Sequence, residues 1–343
     1  MASVFYFLLL WIFPAVELQN VGKVTSPAPS FIEPSQTVTI LFGGDVTFAY
    51  RFEQYVGTRL EYPFSEWHTI GHYDCMMVNL ECPITFSDDS VKKNYVFRMH
   101  PRYLQLFKEA RINVVNCANN HLGDFGQAGI VETLQWLNDA KIAHVGAGKN
   151  LEEARKPCIL SIKGKKIGLI GYGSNGVDIA QHNRAGSVPI SRAEMIRDVQ
   201  ALRNKVDFIV VNVHWGNEKA MYPTPQQVEL GHALIDAGAN VIVGHHSHVL
   251  QGVEEYNGGV ICYSLGNFLF GGNANSGNSE TALLRIVLNG KSWSYFLEPV
   301  SIVNWKVKSA DVITAQRISQ IIAERSARLN YLFTENTKGD LHE

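Results

Sequence analysis

The hydrophobic and polar positions of the chain follow alternating strand-like and helix-like patterns from residue 37 onward. Short β-branched or apolar runs that end in glycine or a polar residue predict strands at residues 37–44, 73–80, 112–118, 142–146, 206–213, 240–244 and 259–266. A turn at 163–165 predicts a hairpin over 157–173, and a Gly-Lys pair at 290–291 separates two further strands at 281–289 and 292–300.

Helical periodicity occupies several of the intervals between these strands. The pattern predicts helices over residues 129–140, 191–204 and 224–239, and a last helix near 310–328. Ser191 with Glu194 predicts a capping box, and Thr224 followed by Pro225 predicts another helix start. With no internal repeat, the alternation predicts a single α/β domain over 37–305 and a C-terminal helical tail over 306–343.

The segment before this domain is apolar at first and then rich in proline and serine. No charged side chain precedes Glu17, and the apolar stretch over residues 2–16 is shorter than the roughly 20 residues of a membrane span. We predict a secretory signal peptide over 1–19, with an uncleaved N-terminal anchor as the alternative, and a linker over 20–36. Either interpretation predicts a protein that is secreted or anchored to a membrane outside the cytoplasm.

Composition narrows the class of partner. The formal net charge of −2 and the lack of long charge runs argue against a nucleic-acid-binding protein, and they predict no particular oligomeric state. The five cysteines follow no C-x-x-C pattern, so most are expected to be buried thiols. A Cys75–Cys82 bridge stays open as an alternative for an exported chain.

Polar side chains cluster at the ends of the predicted strands, and they offer metal-binding chemistry. These side chains are Asp45, Glu81, Asn120, His214 and the histidines of "GHHSH", residues 244–248. The carboxyl ends of strands in an α/β sheet meet at one edge, so distant segments can build one site there. Carboxylate, amide and imidazole ligands suit Zn, Mn or Fe, and a bridging carboxylate can hold two such ions.

Each of these residues also has an ordinary structural interpretation when it is taken alone. Asp45 could be a turn residue or a helix cap, and the tandem histidines could be packed loop residues. His246 and His248 stand at positions i and i+2, so in an extended segment they point to the same side and each could bind one ion. Five such clusters on successive strand ends favour the metal site over the structural interpretation.

Six motifs in a consistent order resemble the capsule-synthesis CapA family. They are "FGGDV", "VNLECPIT", "ANNHLGDFGQAGIVETLQWL", "VNVHWGNE", "GANVIVGHHSHVLQGVE" and "ICYSLGNFLF", and the resemblance runs over residues 38–270. This family is named for poly-γ-glutamate capsule biosynthesis and is related to the calcineurin-like metallophosphatases. The resemblance implies a four-layered α/β/β/α metallophosphatase-like sandwich, with the ligands on loops at one end.

The resemblance also implies roles for individual residues. The implied metal ligands are Asp45, Glu81, Asn120, His214, His246 and His248. His121 would be the catalytic residue that protonates or stabilises the leaving group. His245, the extra histidine of the run, would lie next to the ligands. From their positions beside the motif residues, Asp124 and Glu218 could orient the ligands or bind substrate, and Asn267 could reach the edge of the site. For Asp124 and Glu218 the alternative is a structural loop carboxylate.

The chain departs from the wider phosphatase pattern at two positions. Where those enzymes carry Asp-x-His in the first motif, this chain has Asp45-Val46-Thr47, so one metal position lacks an imidazole. Glu81 replaces an aspartate as the bridging carboxylate and is one methylene longer. Both departures bear on how fully the first metal position is occupied.

These observations predict a CapA-like hydrolase that uses divalent metal ions, two of them, drawn from Mn, Zn or Fe. Its substrate would be an anionic small molecule or polymer with a phosphoester or related bond, linked to biosynthesis of a capsule or a poly-γ-glutamate-type polymer. The alternative is a non-catalytic accessory protein for the synthesis, anchoring or export of such a cell-surface polymer. A structural protein with merely packed histidines is the third and least favoured interpretation.

Overall fold

The computed structural model describes residues 36–173, 178–272 and 279–339 of the 343-residue chain. The N-terminal segment over 1–19 and all but the last residue of the linker over 20–36 lie outside the described residues. Among the helices that the structure describes, none combines the length and the apolar character needed to cross a bilayer.

The strands and helices succeed one another along the chain as follows. The strands are β1 Val38–Thr47, β2 Cys75–Leu80, β3 Ile112–Asn116, β4 Ala143–Val145, β5 Ala147–Gly148, β6 Cys158–Ile162, β7 Lys165–Tyr172, β8 Gly186–Ser187, β9 Phe208–His214, β10 Val241–His245, β11 Val253–Tyr256, β12 Gly259–Cys262, β13 Asn267–Phe270, β14 Ser279–Asn289, β15 Ser292–Val303 and β16 Lys306–Ser309. The α-helices are α1 Arg51–Val56, α2 Leu104–Glu109, α3 Gly126–Asp139, α4 Leu151–Ala154, α5 Arg192–Leu202, α6 Pro225–Ala237 and α7 Val312–Gly339.

Two large sheets form the centre of the molecule. The first has the strand order β16-β15-β14-β1-β2-β3-β4, and β13 also pairs with β1. The second has the order β11-β12-β10-β9-β7-β6. Strands β1 to β4 are parallel in the first sheet, as are β7, β9, β10 and β12 in the second, so the carboxyl ends within each set lie at one edge.

Three large apolar cores hold the layers together, and a smaller fourth one joins Leu250, Ala282, Ile318 and Ile322. The inner core lies between the sheets and joins residues such as Ile40 and Met77 of the first sheet to Leu169 and Val243 of the second. The outer face of the first sheet packs against α2 and α3, and the outer face of the second packs against α5 and α6. The four-layered α/β/β/α architecture is therefore confirmed.

Several predicted elements are confirmed with small changes in their ends. The hairpin over 157–173 is β6 and β7, and the helix at 224–239 is α6. Thr224 caps α6 through a hydrogen bond from the backbone N–H of Gln227, whose side chain returns to Thr224 and completes a capping box. The predicted strand at 259–266 is shorter than expected, because β12 ends at Cys262. The next strand, β13, begins only at Asn267 and pairs with β1 in the first sheet.

Two local predictions at the ends of elements are wrong. Ser191 precedes α5 but makes no capping hydrogen bond through its side chain. The carboxylate of Glu194 pairs with Arg155 and Arg197 instead, so the predicted capping box does not form. The predicted tail begins with a strand, since β16 pairs with β15 in the first sheet, and the helix α7 begins only at Val312.

The structure also excludes the Cys75–Cys82 bridge. Cys75 is the first residue of β2 and Cys82 lies just beyond its end. The Cα atoms at the two ends of β2, Cys75 and Leu80, are about 17 Å apart and Cys82 lies beyond them, whereas a disulfide requires less than about 7 Å. All five cysteines are free, and four of them are buried as expected.

Candidate metal centre

The proposed ligands gather at the edge where the parallel strands of both sheets end. Glu81 directly follows β2, while His214 and His245 are the last residues of β9 and β10. Asp45 lies within β1, opposite Asn79 of β2 and Asn267 of β13, rather than after the strand as predicted. The strand ends thus place residues more than 150 positions apart within one site.

Gly44 allows β13 to approach β1 so closely. A Cβ atom at Gly44 would lie 1.9 Å from the backbone oxygen of Gly266, so only glycine fits there. The N–H of Asp45 donates to that same oxygen at 2.9 Å. Gly44 therefore fixes the backbone on which the Asp45 carboxylate is presented.

Two groups of side chains in the described residues could each hold a metal ion. One consists of Asp45, Glu81 and His248, and the other of Glu81, His214 and His246. Within each group the ligand atoms lie within 4.8 Å of one another. Glu81 belongs to both groups, which is the arrangement expected of a carboxylate that bridges two ions.

Asn120 adds a fourth donor to the second group. Its Oδ1 lies 2.7 Å from His214 Nε2, and that nitrogen is 2.9 Å from His246 Nδ1. Glu81 Oε1 is 3.6 Å from the same His214 nitrogen. Three candidate ligand atoms therefore converge on a fourth, His214 Nε2.

Glu81 provides the sharpest test of whether a cation fits. Its side chain is fully buried, and neither carboxylate oxygen has a hydrogen-bond partner. Burial raises its pKa well above the usual value. A buried carboxylate without donors is costly unless it is paired with a cation or protonated, so the donor set fits a divalent ion that prefers oxygen and imidazole ligands.

The other groups show how charge is arranged around Glu81. Burial alone would raise the pKa of Asp45, but His245 and His248 outweigh it and hold that pKa well below the usual value. Burial lowers the pKa of His214 and of His246, which favours the neutral imidazole that binds metal. Burial also opposes the charged form of His248, yet the carboxylates of Glu81 and Asp45 raise its pKa to about 9.

The backbone of the histidine segment differs from the prediction. His246 and His248 have φ angles of 92° and 57°, so the segment is not extended and the expected same-side arrangement is wrong. The left-handed turns direct the two imidazoles to different ligand groups. The backbone N–H of His246 also points inward and donates to Asp45 Oδ2 at 3.3 Å.

The residues predicted to surround the ligands differ in burial and in whether they contact a ligand. His245 is buried with Nδ1 3.4 Å from Asp45 Oδ1, and Asn267 Oδ1 lies 2.9 Å from His248 Nδ1. Glu218 is exposed and belongs to neither ligand group. Thr47 is fully buried, and its hydroxyl has no hydrogen-bond partner.

His121 lies beside the ligands and is held by Asp124. The distance from His121 Nδ1 to Asp124 Oδ2 is 2.6 Å, and the ring of Phe97 covers the imidazole with a centroid separation of 4.1 Å. Burial lowers the pKa of His121, although Asp124 acts in the opposite direction. With Nδ1 held against the Asp124 carboxylate, the Nε2 atom is the one available for proton transfer.

Lys93, which no sequence pattern marked, completes this cluster. Its Nζ donates to Asp124 Oδ1 at 2.9 Å and to the backbone oxygen of Asn120 at 2.6 Å. The Phe97 N–H donates to the other Asp124 oxygen at 2.7 Å. Lys93 lies in an irregular segment without periodicity, so no local pattern marked it.

A buried amide cluster beneath the ligands was also missed. Asn79 donates through Nδ2 to Asp45 Oδ1 at 2.8 Å, and the same nitrogen lies 3.1 Å from His214 Nδ1. Its Oδ1 accepts from Asn116 and from Asn119. The only sequence signal was a polar residue inside the apolar strand "CMMVNL". Asn79 links a ligand of one group to a ligand of the other.

Comparison with known proteins identifies the family. The family model described as "Bacterial capsule synthesis protein PGA_cap" matches residues 39–272, which is more than half of the chain. The chain belongs to this family of bacterial capsule synthesis proteins. The match confirms the resemblance to CapA and includes every proposed metal ligand from Asp45 to His248.

Three relatives of this PGA_cap chain show how far the similarity extends. A capsule biosynthesis protein CapA of Bacillus anthracis is 30% identical over 73% of this chain and 64% of its own length. A PGA biosynthesis protein CapA of Bacillus subtilis is 35% identical over 57% of this chain and 53% of its own length. A probable polyglutamine synthesis accessory protein of Mycobacterium tuberculosis is 30% identical over 74% of this chain and 73% of its own length.

The solved structures add only a distant likeness. The crystal structure of TT1561 of Thermus thermophilus aligns with 76% of this chain and 99% of its own, at 12% identity and a TM-score of 0.40. The assignment of the fold rests instead on the strand order and the layers of the PGA_cap chain itself.

Proposed function

We propose that this protein is a metal-dependent hydrolase of a phosphoester or related bond in the biosynthesis of a capsule or poly-γ-glutamate-type anionic polymer. The observation that carries the proposal is the buried, unpartnered carboxylate of Glu81, which is shared by two ligand groups. The membership in the PGA_cap family and the names of the relatives support the link to polymer synthesis.

The residues present would hold two divalent ions. Glu81 would bridge them, Asp45 and His248 would complete one position, and Asn120, His214 and His246 would complete the other. The ions, when bound, supply Lewis acidity and make a water molecule a stronger nucleophile at neutral pH. Mn, Zn and Fe all accept this mixture of oxygen and imidazole ligands.

The protein groups around the ions would orient the substrate and move the proton. His121, oriented by Asp124 and covered by Phe97, presents Nε2 for proton donation to the leaving oxygen. His245 and Asn267 contact Asp45 and His248, and would fix the orientation of those two ligands. Two divalent cations would carry more positive charge than the two ligand carboxylates carry negative charge. The site would therefore favour an anionic substrate.

The experiment begins with the purified domain and its metal content. We expect close to two equivalents of divalent metal after loading with Mn or Zn, and hydrolysis of a phosphoester or γ-glutamyl substrate. Glu81→Gln should lose metal from both positions, since it removes the shared ligand. A wild-type protein that takes up no metal and hydrolyses neither substrate would refute the proposal.

An accessory role is the second candidate, and the observation that favours it is Thr47. With a threonine at this position, the group of Asp45, Glu81 and His248 has only three candidate ligands. A metal ion would bind more weakly there, and with it the pair of metal ions. In that role the protein would bind the polymer without cleaving it. Binding of poly-γ-glutamate that persists in chelator and in His214→Ala, without hydrolysis, would favour this candidate over the hydrolase.

We further propose that the protein works outside the cytoplasm, secreted or held at a membrane by its N-terminus. The apolar stretch before Glu17 supports this placement. Fusion of residues 1–36 to a reporter that is active only after export would test it. A reporter that stays in the cytoplasm would contradict it.

A further inference from the structure

The segment that carries the last two histidines is held in an unfavourable backbone conformation. We define residues 246–253 as the histidine loop. His246 and His248 within it both have positive φ angles, 92° and 57°, which are rare for residues other than glycine. Such conformations persist only when the surrounding structure enforces them.

The helix α7 makes contacts along the second half of this loop. The guanidinium of Arg325 donates to the backbone oxygen of Leu250. The hydroxyl of Ser326 accepts the Val253 N–H at 2.8 Å, and it donates to Ile322 of its own helix at 2.7 Å. The backbone of the loop therefore has hydrogen bonds to α7 at two separate points.

Gly252 brings the helix into direct contact with the loop. A Cβ atom at this position would lie 2.7 Å from Leu329 Cδ1 and 2.8 Å from the backbone oxygen of Arg325. Leu329 is itself buried in the core on the outer face of the second sheet. The absence of a side chain at Gly252 is thus what allows α7 to pack against the loop.

The contacts of α7 extend to a second ligand-bearing segment. Arg328 lies over the ring of Tyr222 at 5.1 Å, in the segment that follows His214. This segment is joined to the histidine loop by the Lys219 N–H, which donates to Ser247 O at 2.8 Å, and by Gln251 Nε2, which donates to Ala220 O at 2.8 Å. The helix therefore braces two segments that meet at the site.

We propose that α7 is a positioning element of the metal centre, which holds the histidine loop so that His246 and His248 face different ligand groups. The family match ends at residue 272, so α7 lies outside it. The C-terminal segment, which looked like an appended tail, takes part in building the site. The effect of α7 on metal binding rests on the proposed function, whereas the contacts by which α7 fixes the histidine loop do not.

The first test measures hydrogen exchange in the metal-free full chain. Arg325→Met removes the bond to Leu250, and Gly252→Ala pushes the helix away. In both variants we expect amides of residues 246–253 to exchange about tenfold faster, while strands β1 and β9 stay as protected as in the wild type. Arg325→Lys, which keeps a donor, should restore protection, and Glu324→Ala on the exposed side of α7 is the matched control.

The second test measures the dissociation constant for Zn²⁺ in the same variants. We expect binding about tenfold weaker in Arg325→Met and Gly252→Ala, at the lower end of the roughly 10–100-fold losses typical of residues that support metal ligands. Zn²⁺ binding should be unchanged in Glu324→Ala. Exchange that is unaltered in both variants, or that rises equally in every peptide, overturns the positioning role.

The two proposals fail in different ways. If the wild type binds no metal, the hydrolase proposal fails, and the exchange measurements still decide whether α7 holds the loop. If the wild type binds Zn²⁺ and the two variants bind it equally well, the hydrolase proposal stands and the positioning role is overturned.

Discussion

Glu81 is the residue on which both ligand groups depend. It stands one position beyond β2, where the strand carries it to the edge shared by the two sheets. Its two oxygens are buried without hydrogen-bond donors, so the metal-free protein must either protonate the carboxyl group or keep its charge with only the imidazolium of His248, 3.7 Å away, as a partner. The sequence motif "NLE" identified the residue, but only the packing around it shows that no protein group satisfies it.

Replacement of this carboxylate should stabilise the metal-free protein. Because burial raises the folded-state pKa above the usual value of 4.5, the wild type should lose stability as the pH rises from that value. Glu81→Gln carries no such charge, so at about pH 8 in chelator we expect its free energy of unfolding to be higher by about 1–3 kcal/mol. Denaturant unfolding with and without metal measures this, and a destabilised metal-free variant would contradict it.

The role of His121 depends on the leaving group. If His121 donates a proton to the leaving oxygen, hydrolysis of an alkyl phosphate should depend on His121, because an alkoxide leaves poorly without protonation. Nitrophenolate leaves without protonation, so p-nitrophenyl phosphate should depend on it much less. We expect His121→Ala to reduce hydrolysis of an alkyl phosphate by about 10²–10⁴-fold and that of p-nitrophenyl phosphate by much less. Because burial lowers the pKa of His121, the wild-type rate with the alkyl substrate should fall as the pH rises through a value below 6.5. Equal losses on both substrates would argue against proton donation.

At the scale of elements, the strand ends were more predictable than the segments between them. The apolar runs of β2, β3, β9 and β10 identified the strands and thereby the residues at their carboxyl ends. The irregular segment over 86–98 has no periodicity, yet it covers His121 because Asp124 accepts hydrogen bonds from Lys93 and Phe97 within it. These hydrogen bonds join groups 27 and 31 residues apart in the chain.

Removal of the Lys93 ammonium tests how this segment is held. Asp124 is fully buried, so Lys93→Met leaves its carboxylate with one donor fewer, and we expect a loss of about 1–2 kcal/mol in the free energy of unfolding. The positive charge also lowers the pKa of His121, so that pKa should rise in the variant, as NMR titration would show. Lys92→Met, at an exposed position, is the matched control. If both variants behave alike, Lys93 does not have this role.

At the scale of the whole molecule, both sheets contribute candidate ligands to one site. The first sheet brings Asp45, Glu81 and Asn120 to the edge, while the second brings His214 and the histidine loop. The inner core between the sheets sets their separation, and α7 braces the loop from outside. Since the ligands come from both sheets, metal binding should couple to the stability of the entire fold.

Metal uptake should release protons, and metal affinity should depend on pH. With the pKa of His248 raised to about 9, the metal-free protein holds a proton there at neutral pH, and the imidazole must lose it to bind. We expect release of about one proton or more per protein at pH 7, and tighter metal binding as the pH rises from 6 to 8. Calorimetry in buffers of different ionisation enthalpy measures the release. An uptake of metal without proton release would contradict the charge state assigned to His248.

The sequence by itself was sufficient for an α/β domain and for the set of residues that would meet, while the four layers followed only from the resemblance to the CapA family. Periodicity identifies parallel strands, and their carboxyl ends converge regardless of side-chain detail. The division of the histidines between two groups, the link through Asn79 and the contacts of Lys93 and α7 required the tertiary structure. Asp45 accepts a hydrogen bond from a residue 201 positions away, and local periodicity carries no information about contacts at that separation.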